Sequence, residues 1–177
     1  MTKQRRVTVY VDGANIFYTQ KKLGWSIDWT KLEKLIIKQG QTTIYWRYYT
    51  GLKNGDEKME KYLNHLKRIG FFVITKPLKK IKLERRQEIS NQSELDFIYK
   101  ANFDVEIAVD TLLNKSLSST IILFSGDSDF AYLVKRLRLL GKSVLIYSSR
   151  KTISWELKLA ASKVFYLEDL KEKISKK

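Results

Sequence analysis

Six short runs rich in β-branched and aromatic residues recur along the chain: RVTVYV (6–11), TTIYWRYY (42–49), FFVIT (71–75), STIILF (119–124), KSVLIYS (142–148) and KVFYL (163–167). Between them, DWTKLEKLIIKQG, GDEKMEKYLNHLKRIG, FDVEIAVDTLLNK, DFAYLVKRLRLLG and SWELKLAAS place apolar residues every three to four positions, the period of an amphipathic helix. Alternation of this kind predicts an α/β fold, a mostly parallel central sheet covered by helices on both faces. Gly40, Gly70 and Gly141 each end a helical pattern just before a strand, where a left-handed cap is expected. At 177 residues, with no internal repeat and no linker, the chain reads as one domain with its core over about residues 6–167 and a short basic C-terminal tail. The least regular piece, KPLKKIKLERRQEISNQSELDF (76–97), holds the only proline and reads as a basic excursion, either an extra hairpin or a solvated loop.

There is no cysteine, so disulfides, thiolate metal sites and cysteine nucleophiles are excluded together. His65, the single histidine, lies in a charged helical stretch and reads as an ordinary half-exposed helix position. Catalysis would have to use carboxylates, hydroxyls, amides, lysines or a metal ion. No run is long and apolar enough to cross a membrane, and MTKQRRV leads straight into a strand rather than a signal-peptide core, so a soluble, cytoplasmic protein is expected. The net charge of +15 is the footprint of a polyanion binder, nucleic acid being the commonest partner, although a Lys-rich surface alone produces the same number.

The acids are not spread evenly. In an open parallel sheet, ligands bind beyond the carboxyl ends of the strands. Asp12 ends the first strand, and the fourth runs at once into SGDSDF, which brings Ser125, Asp127 and Asp129 to the same rim. Asp104 opens the helix of FDVEIAVD, with Asp110 six positions on, about 120° around the helix axis, so both reach one site only if Asp104 stands at the helix entrance. Each acid alone has a structural reading: a turn at Asp12-Gly13, a helix cap at Asp127 or Ser128, dipole compensation at Asp104, an exposed position at Asp110. Together they repel one another, by roughly 1 kcal/mol per pair at about 4 Å in water and about 4 at an effective dielectric near 20. An all-oxygen cluster of this type selects Mg²⁺ or Mn²⁺, with Asn15 and Ser125 able to hold a metal-bound water or a phosphate oxygen.

VDGANIF (11–17), KANFDVEIAVD (100–110) and SGDSDFAYLVKRLRLLGKSV (125–144), in this order and spacing, resemble the NYN family of PIN-like nuclease domains, and within it the bacterial LabA-like group. The resemblance implies a three-layer α/β/α sandwich of the PIN type and Mg²⁺- or Mn²⁺-dependent cleavage of RNA. It implies Asp12, Asp104, Asp127 and Asp129 as metal-site acids, with Asn15 beside them and Asp110 in support. The third motif departs from the family's lysine-glycine-acid lead: Lys100-Ala101-Asn102-Phe103 precedes Asp104.

A strand-cutting site needs a positive approach. The candidates are Lys76, Lys79, Lys80, Lys82, Arg85 and Arg86 in the excursion, and Arg5, Arg6, Lys21 and Lys22 around the first motif. Tyr18 and Trp25 are candidate stacking platforms for bases, whereas the aromatics of the second strand are expected to face the core. The excursion could equally contact a second subunit in a homo-oligomer. An aspartyl-phosphate phosphatase would need an acid where Ala14 stands, and neither glycine-rich nucleotide motif follows any strand. The competing reading is an RNA-binding or regulatory adaptor that keeps the fold without turnover.

Overall fold

A computed structural model describes residues 6–38, 43–82, 97–114 and 118–176. In chain order the elements are β1 (Arg6–Asp12), α1 (Gly13–Leu23), α2 (Trp29–Lys38), β2 (Thr43–Leu52), α3 (Glu57–Arg68), β3 (Phe71–Pro77), β4 (Lys79–Lys82) and β5 (Phe97–Lys100). They continue with α4 (Asp104–Leu113), β6 (Thr120–Phe124), α5 (Phe130–Leu139), β7 (Ser143–Ser148), α6 (Trp155–Ala160), β8 (Lys163–Tyr166) and α7 (Leu167–Ile174). Six strands form one sheet in the order β3-β2-β1-β6-β7-β8, with every pairing parallel. All six apolar runs of the sequence are in it. β4 and β5 pair separately as an antiparallel ribbon, Lys79 opposite Lys100, with β4 inside the basic excursion and β5 beginning at its last residue; residues 83–96 lie outside the described residues.

The central strands β1, β6 and β7 are buried on both faces, and the side-chain period of two sorts their residues into two cores. Val7, Val9 and Val11 of β1 join Ile16, Trp29, Leu32, Ile36, Leu63, Leu66, Leu167 and Ile174, which are supplied by α1, α2, α3 and α7. Tyr10 of the same strand points the other way, into Ile107, Phe130, Val134, Leu137, Leu157 and Ala160 from α4, α5 and α6. Helices thus cover both faces. Gly70 and Gly141 have φ of 96° and 76°, the left-handed caps expected of them; Gly40 lies outside the described residues.

Two helices were not read from the sequence. α1 starts immediately after Asp12, and α7 replaces the expected basic tail: Leu167, Leu170 and Ile174 follow helical spacing and dock on the first core. Among the described residues, no helix is long and apolar enough to cross a membrane. His65 lies on α3, the expected helix position, and is exposed rather than half-exposed.

Trp29 sits at the centre of the first core. Its ring meets Trp46, Tyr48, Phe71 and Phe124 edge-on at 5.5–6.2 Å, and its indole N–H donates to the Tyr62 hydroxyl at 2.9 Å. Trp29→Ala is expected to lower the unfolding free energy by about 3–5 kcal/mol, read from the urea midpoint with an unchanged denaturant slope.

Candidate functional site

The sheet order puts β1 beside β6, yet the two strands send their next helices to opposite faces: α1 packs in the first core and α5 in the second. A crevice therefore opens between the loops after β1 and β6, the usual ligand position in such sheets. Asp12 stands at its floor. By strand parity its side chain shares the face of Tyr10, toward the α4 and α5 layer. One carboxylate oxygen accepts the Asn15 N–H at 3.1 Å, capping α1, and the other accepts the Ser125 hydroxyl at 3.1 Å. Asp12 is 9% exposed. Burial pushes its pKa up to about 6; the Asn15 and Ser125 hydrogen bonds pull the other way, and the neighbouring Asp104 and Asp127 add to the rise.

The loop after β6 is held by the same hydrogen-bond network. Gly126 N–H donates to Asn15 Oδ1 at 3.0 Å, Asp127 N–H donates to Ser125 Oγ at 3.2 Å, and Asp129 N–H donates to Asp127 Oδ1 at 3.0 Å. Gly126 leaves no space for a side chain, since a Cβ there would lie 2.3 Å from the Thr152 carbonyl oxygen. From the other side, Asp104 is the first residue of α4, its N–H bonded to Asn102 Oδ1 at 2.8 Å. Carboxylate oxygens of Asp104, Asp127 and Asp129 all lie within 4.8 Å of one another. The Asp104 pKa is raised, first by burial, then by Asp127 and Asp129, with Asn102 and Lys100 opposing.

These three acids stand at or just before the N-termini of α4 and α5, where the helix dipoles offset part of their repulsion. The described ion pairs, Arg47–Asp110, Lys61–Glu57, Lys76–Glu106 and Arg150–Asp169, draw on none of them. Three convergent carboxylates without thiolate or imidazole are a donor set for a hard divalent cation, so the residues fit Mg²⁺ or Mn²⁺. Asp12 lies outside the group of three, within electrostatic reach of it. The structural readings of the acids hold only in part: Asp104 stands at a helix N-terminus as expected, but Asp12 caps α1 instead of making a turn with Gly13, Asp127 accepts the Asp129 N–H instead of capping α5, and Asp110 is engaged rather than exposed.

Besides Asp12, expected among the metal-site acids but outside their group, and Trp25, which packs against the first core, three sequence expectations require correction. Asp110 is separated from the acid group, because its position lies well down α4. Its carboxylate takes the Tyr49 hydroxyl at 2.6 Å and Arg47 Nη1 at 3.1 Å, and its carbonyl accepts from Tyr10. It ties α4 to β1 and β2. Ser125 is fully buried, with its hydroxyl committed to Asp12, and so positions that carboxylate rather than meeting substrate. Arg6 starts β1, at the opposite end of the strand from Asp12 and roughly 20 Å away at about 3.3 Å per residue.

The remaining candidates divide. Tyr18 is exposed and meets the exposed Phe17 edge-on, while Lys21 and Lys22 stand exposed in the last turn of the same helix. Trp25 instead packs against the first core. Trp46, Tyr48 and Tyr49 of β2 are buried and only Tyr45 is exposed, as expected for that strand. Lys79 and Lys80 are exposed on β4, which leaves the carboxyl end of β3, on the same rim as the acids. Lys76 is committed to Glu106 and lies over the Phe103 ring. The side chain of Lys82, together with Arg5, Arg85 and Arg86, falls outside the described residues.

The profile of the NYN domain matches residues 6–168. The chain belongs to the NYN family. It is also 30% identical over 174 residues, covering 97% of this chain and 88% of the relative, to the low amplitude and bright protein LabA of Synechococcus elongatus. A crystal structure of a protein of unknown function from Vibrio parahaemolyticus superposes with a TM-score of 0.76 over 99% of both chains at 21% identity, which speaks for the fold. The NYN family is nuclease-like, and this NYN chain carries a carboxylate group at the crevice between β1 and β6.

The elevated Asp12 pKa makes the metal-free protein pH-sensitive. Between the unfolded value near 3.9 and the folded value of about 6, the native state binds more protons than the unfolded chain, so stability falls as pH rises and levels off above that window. In chelator, the unfolding free energy is expected to drop by roughly 2 kcal/mol from pH 4 to pH 6.5 on this account. Asp12→Asn should flatten that slope, as followed by denaturant titration across the range.

Proposed function

We propose that this NYN protein, acting as one domain, is a ribonuclease that hydrolyses RNA phosphodiester bonds with Mg²⁺ or Mn²⁺ held by Asp104, Asp127 and Asp129. The reading is carried by one observation: three carboxylates converge within 4.8 Å at the mouth of the sheet, beside the buried Asp12. Leaving them unscreened next to a polyanion would weaken RNA binding, so a pure binder gains nothing from the arrangement. Such an ion, when bound, lowers the pKa of a coordinated water and stabilises charge developing on phosphorus and the leaving oxygen.

The chain's own groups do the positioning. Asp12 sets the floor and adds negative charge behind the three ligands. Asn15 has its side-chain oxygen engaged by Gly126, which leaves its amide N–H donors for a phosphate oxygen. Ser125 and the N-terminus of α1 fix the Asp12 rotamer. Lys21, Lys22, Lys79 and Lys80 supply positive charge for the backbone of the strand, and Tyr18 offers an exposed ring for a base.

Asp104→Asn and Asp127→Asn are each expected to reduce Mn²⁺-dependent loss of full-length single-stranded RNA by at least about a hundredfold, with the melting temperature preserved in chelator. Asp110→Asn should behave oppositely, losing stability by about 1–3 kcal/mol through its Arg47 and Tyr49 partners while keeping metal-dependent turnover. RNA binding by the parent protein with no metal-dependent cleavage would instead favour the adaptor.

A further inference from the structure

The carboxyl rim of the sheet continues past the acids. The carbonyl of Gly126 accepts the Ser154 N–H at 2.8 Å, and the Thr152 carbonyl lies against its α-carbon, so the segment between β7 and α6 packs directly on the acidic loop. That segment also walls a groove of about 370 Å³, lined by Arg150, Ile153, Ser154, Trp155, Lys158 and Tyr166. Trp155 is 66% exposed, so neither core uses its ring. Lys158 Nζ lies 5.9 Å from the Trp155 centroid. Across the groove, the Arg150 guanidinium lies 4.2 Å over the Tyr166 ring, held by a two-pronged hydrogen bond to Asp169 at 2.9 and 2.7 Å.

An exposed indole beside an exposed lysine is what a nucleobase and its flanking phosphate require, a π-face for the first and positive charge for the second, while Arg150, its charge balanced by Asp169, forms the opposite wall. The volume is of the order that accommodates one nucleotide. The location supplies a reason for it as well. The acid group repels backbone phosphates, so a strand crossing it gains affinity on either side, and Phe17, Tyr18, Lys21 and Lys22 of α1 offer a similar aromatic and basic surface on the helix that follows Asp12. Lys151, exposed next to the groove, adds to its charge.

We infer that the groove between Trp155 and Tyr166 is a nucleotide subsite for single-stranded RNA, with a base stacked on Trp155 and Lys158 facing a neighbouring phosphate. The path of the strand toward the acids rests on the ribonuclease reading; the binding itself does not need cleavage. Stacking of this kind tolerates any base, so the subsite gives affinity and register rather than sequence choice.

The test is equilibrium binding of a fluorescent single-stranded RNA of about ten nucleotides, in chelator so that no strand is cut. Trp155→Ala is expected to weaken binding roughly tenfold and Trp155→Phe to keep most of it, both with parental melting curves because the ring is exposed. An oligonucleotide of the same length built from abasic positions should bind parent and Trp155→Ala equally. Lys158→Ala should weaken intact and abasic strands alike. The inference is overturned if Trp155→Ala binds intact RNA as tightly as the parent, if it loses affinity equally for both strands, or if the parent binds no RNA. Loss of binding on Trp155→Ala in a parent that never cleaves RNA with Mn²⁺ would remove the ribonuclease reading and keep the subsite. Metal-dependent cleavage with unaltered binding by Trp155→Ala would do the reverse.

Discussion

The buried carboxylate of Asp12 joins the strand and helix that meet at it to a third piece of chain more than a hundred residues away. It ends β1, caps α1 through the Asn15 N–H, and takes the hydroxyl of Ser125 from the end of β6. Asn15 and Ser125 in turn hold the next loop, through Gly126 and Asp127. A single desolvated charge thus aligns two neighbouring strands whose following helices leave on opposite faces. The cost is visible in its pKa of about 6, since burial disfavours the ionised form.

That cost is in keeping with a site rather than a scaffold. An amide could satisfy the same helix cap without a buried charge, and three more carboxylates at the same mouth make the local field more negative still. The chain carries a net charge of +15, so the acidic mouth is an exception within a basic protein. On the ribonuclease reading proposed above, an RNA strand is held by its phosphates along its length and met by carboxylates at one point. The aromatic and basic surfaces of α1 and of the groove at Trp155 are consistent with that division of labour.

Much of the fold was legible because it depends on local periodicity. The six apolar runs became the six parallel strands, and the 3.6-residue patterns became helices of opposite sheet faces. α7 was legible in principle, from Leu167, Leu170 and Ile174, but its charged surface resembles a solvated tail until the core it docks on is known. Asp104, Asp127 and Asp129 stood out in the sequence by their places at strand and helix ends, and their carboxylates do converge. Asp110 and Ser125 were misread, and for one reason: their partners lie far away in sequence. Arg47 is 63 positions from Asp110, and Ser125 is 113 from Asp12. No local pattern announces which of two polar groups will be turned inward to meet the other.

The sequence by itself determined the element types, the face of each strand residue and the all-oxygen chemistry available, because these follow from side-chain period and residue identity. Only the tertiary structure decided the strand order, which sets β1 against β6 and so brings their loops together. Parallel strands joined by helices satisfy their backbone hydrogen bonds in many orders. The choice among them is made by how two helical layers pack on the sheet, an energy summed over contacts between residues that are far apart along the chain.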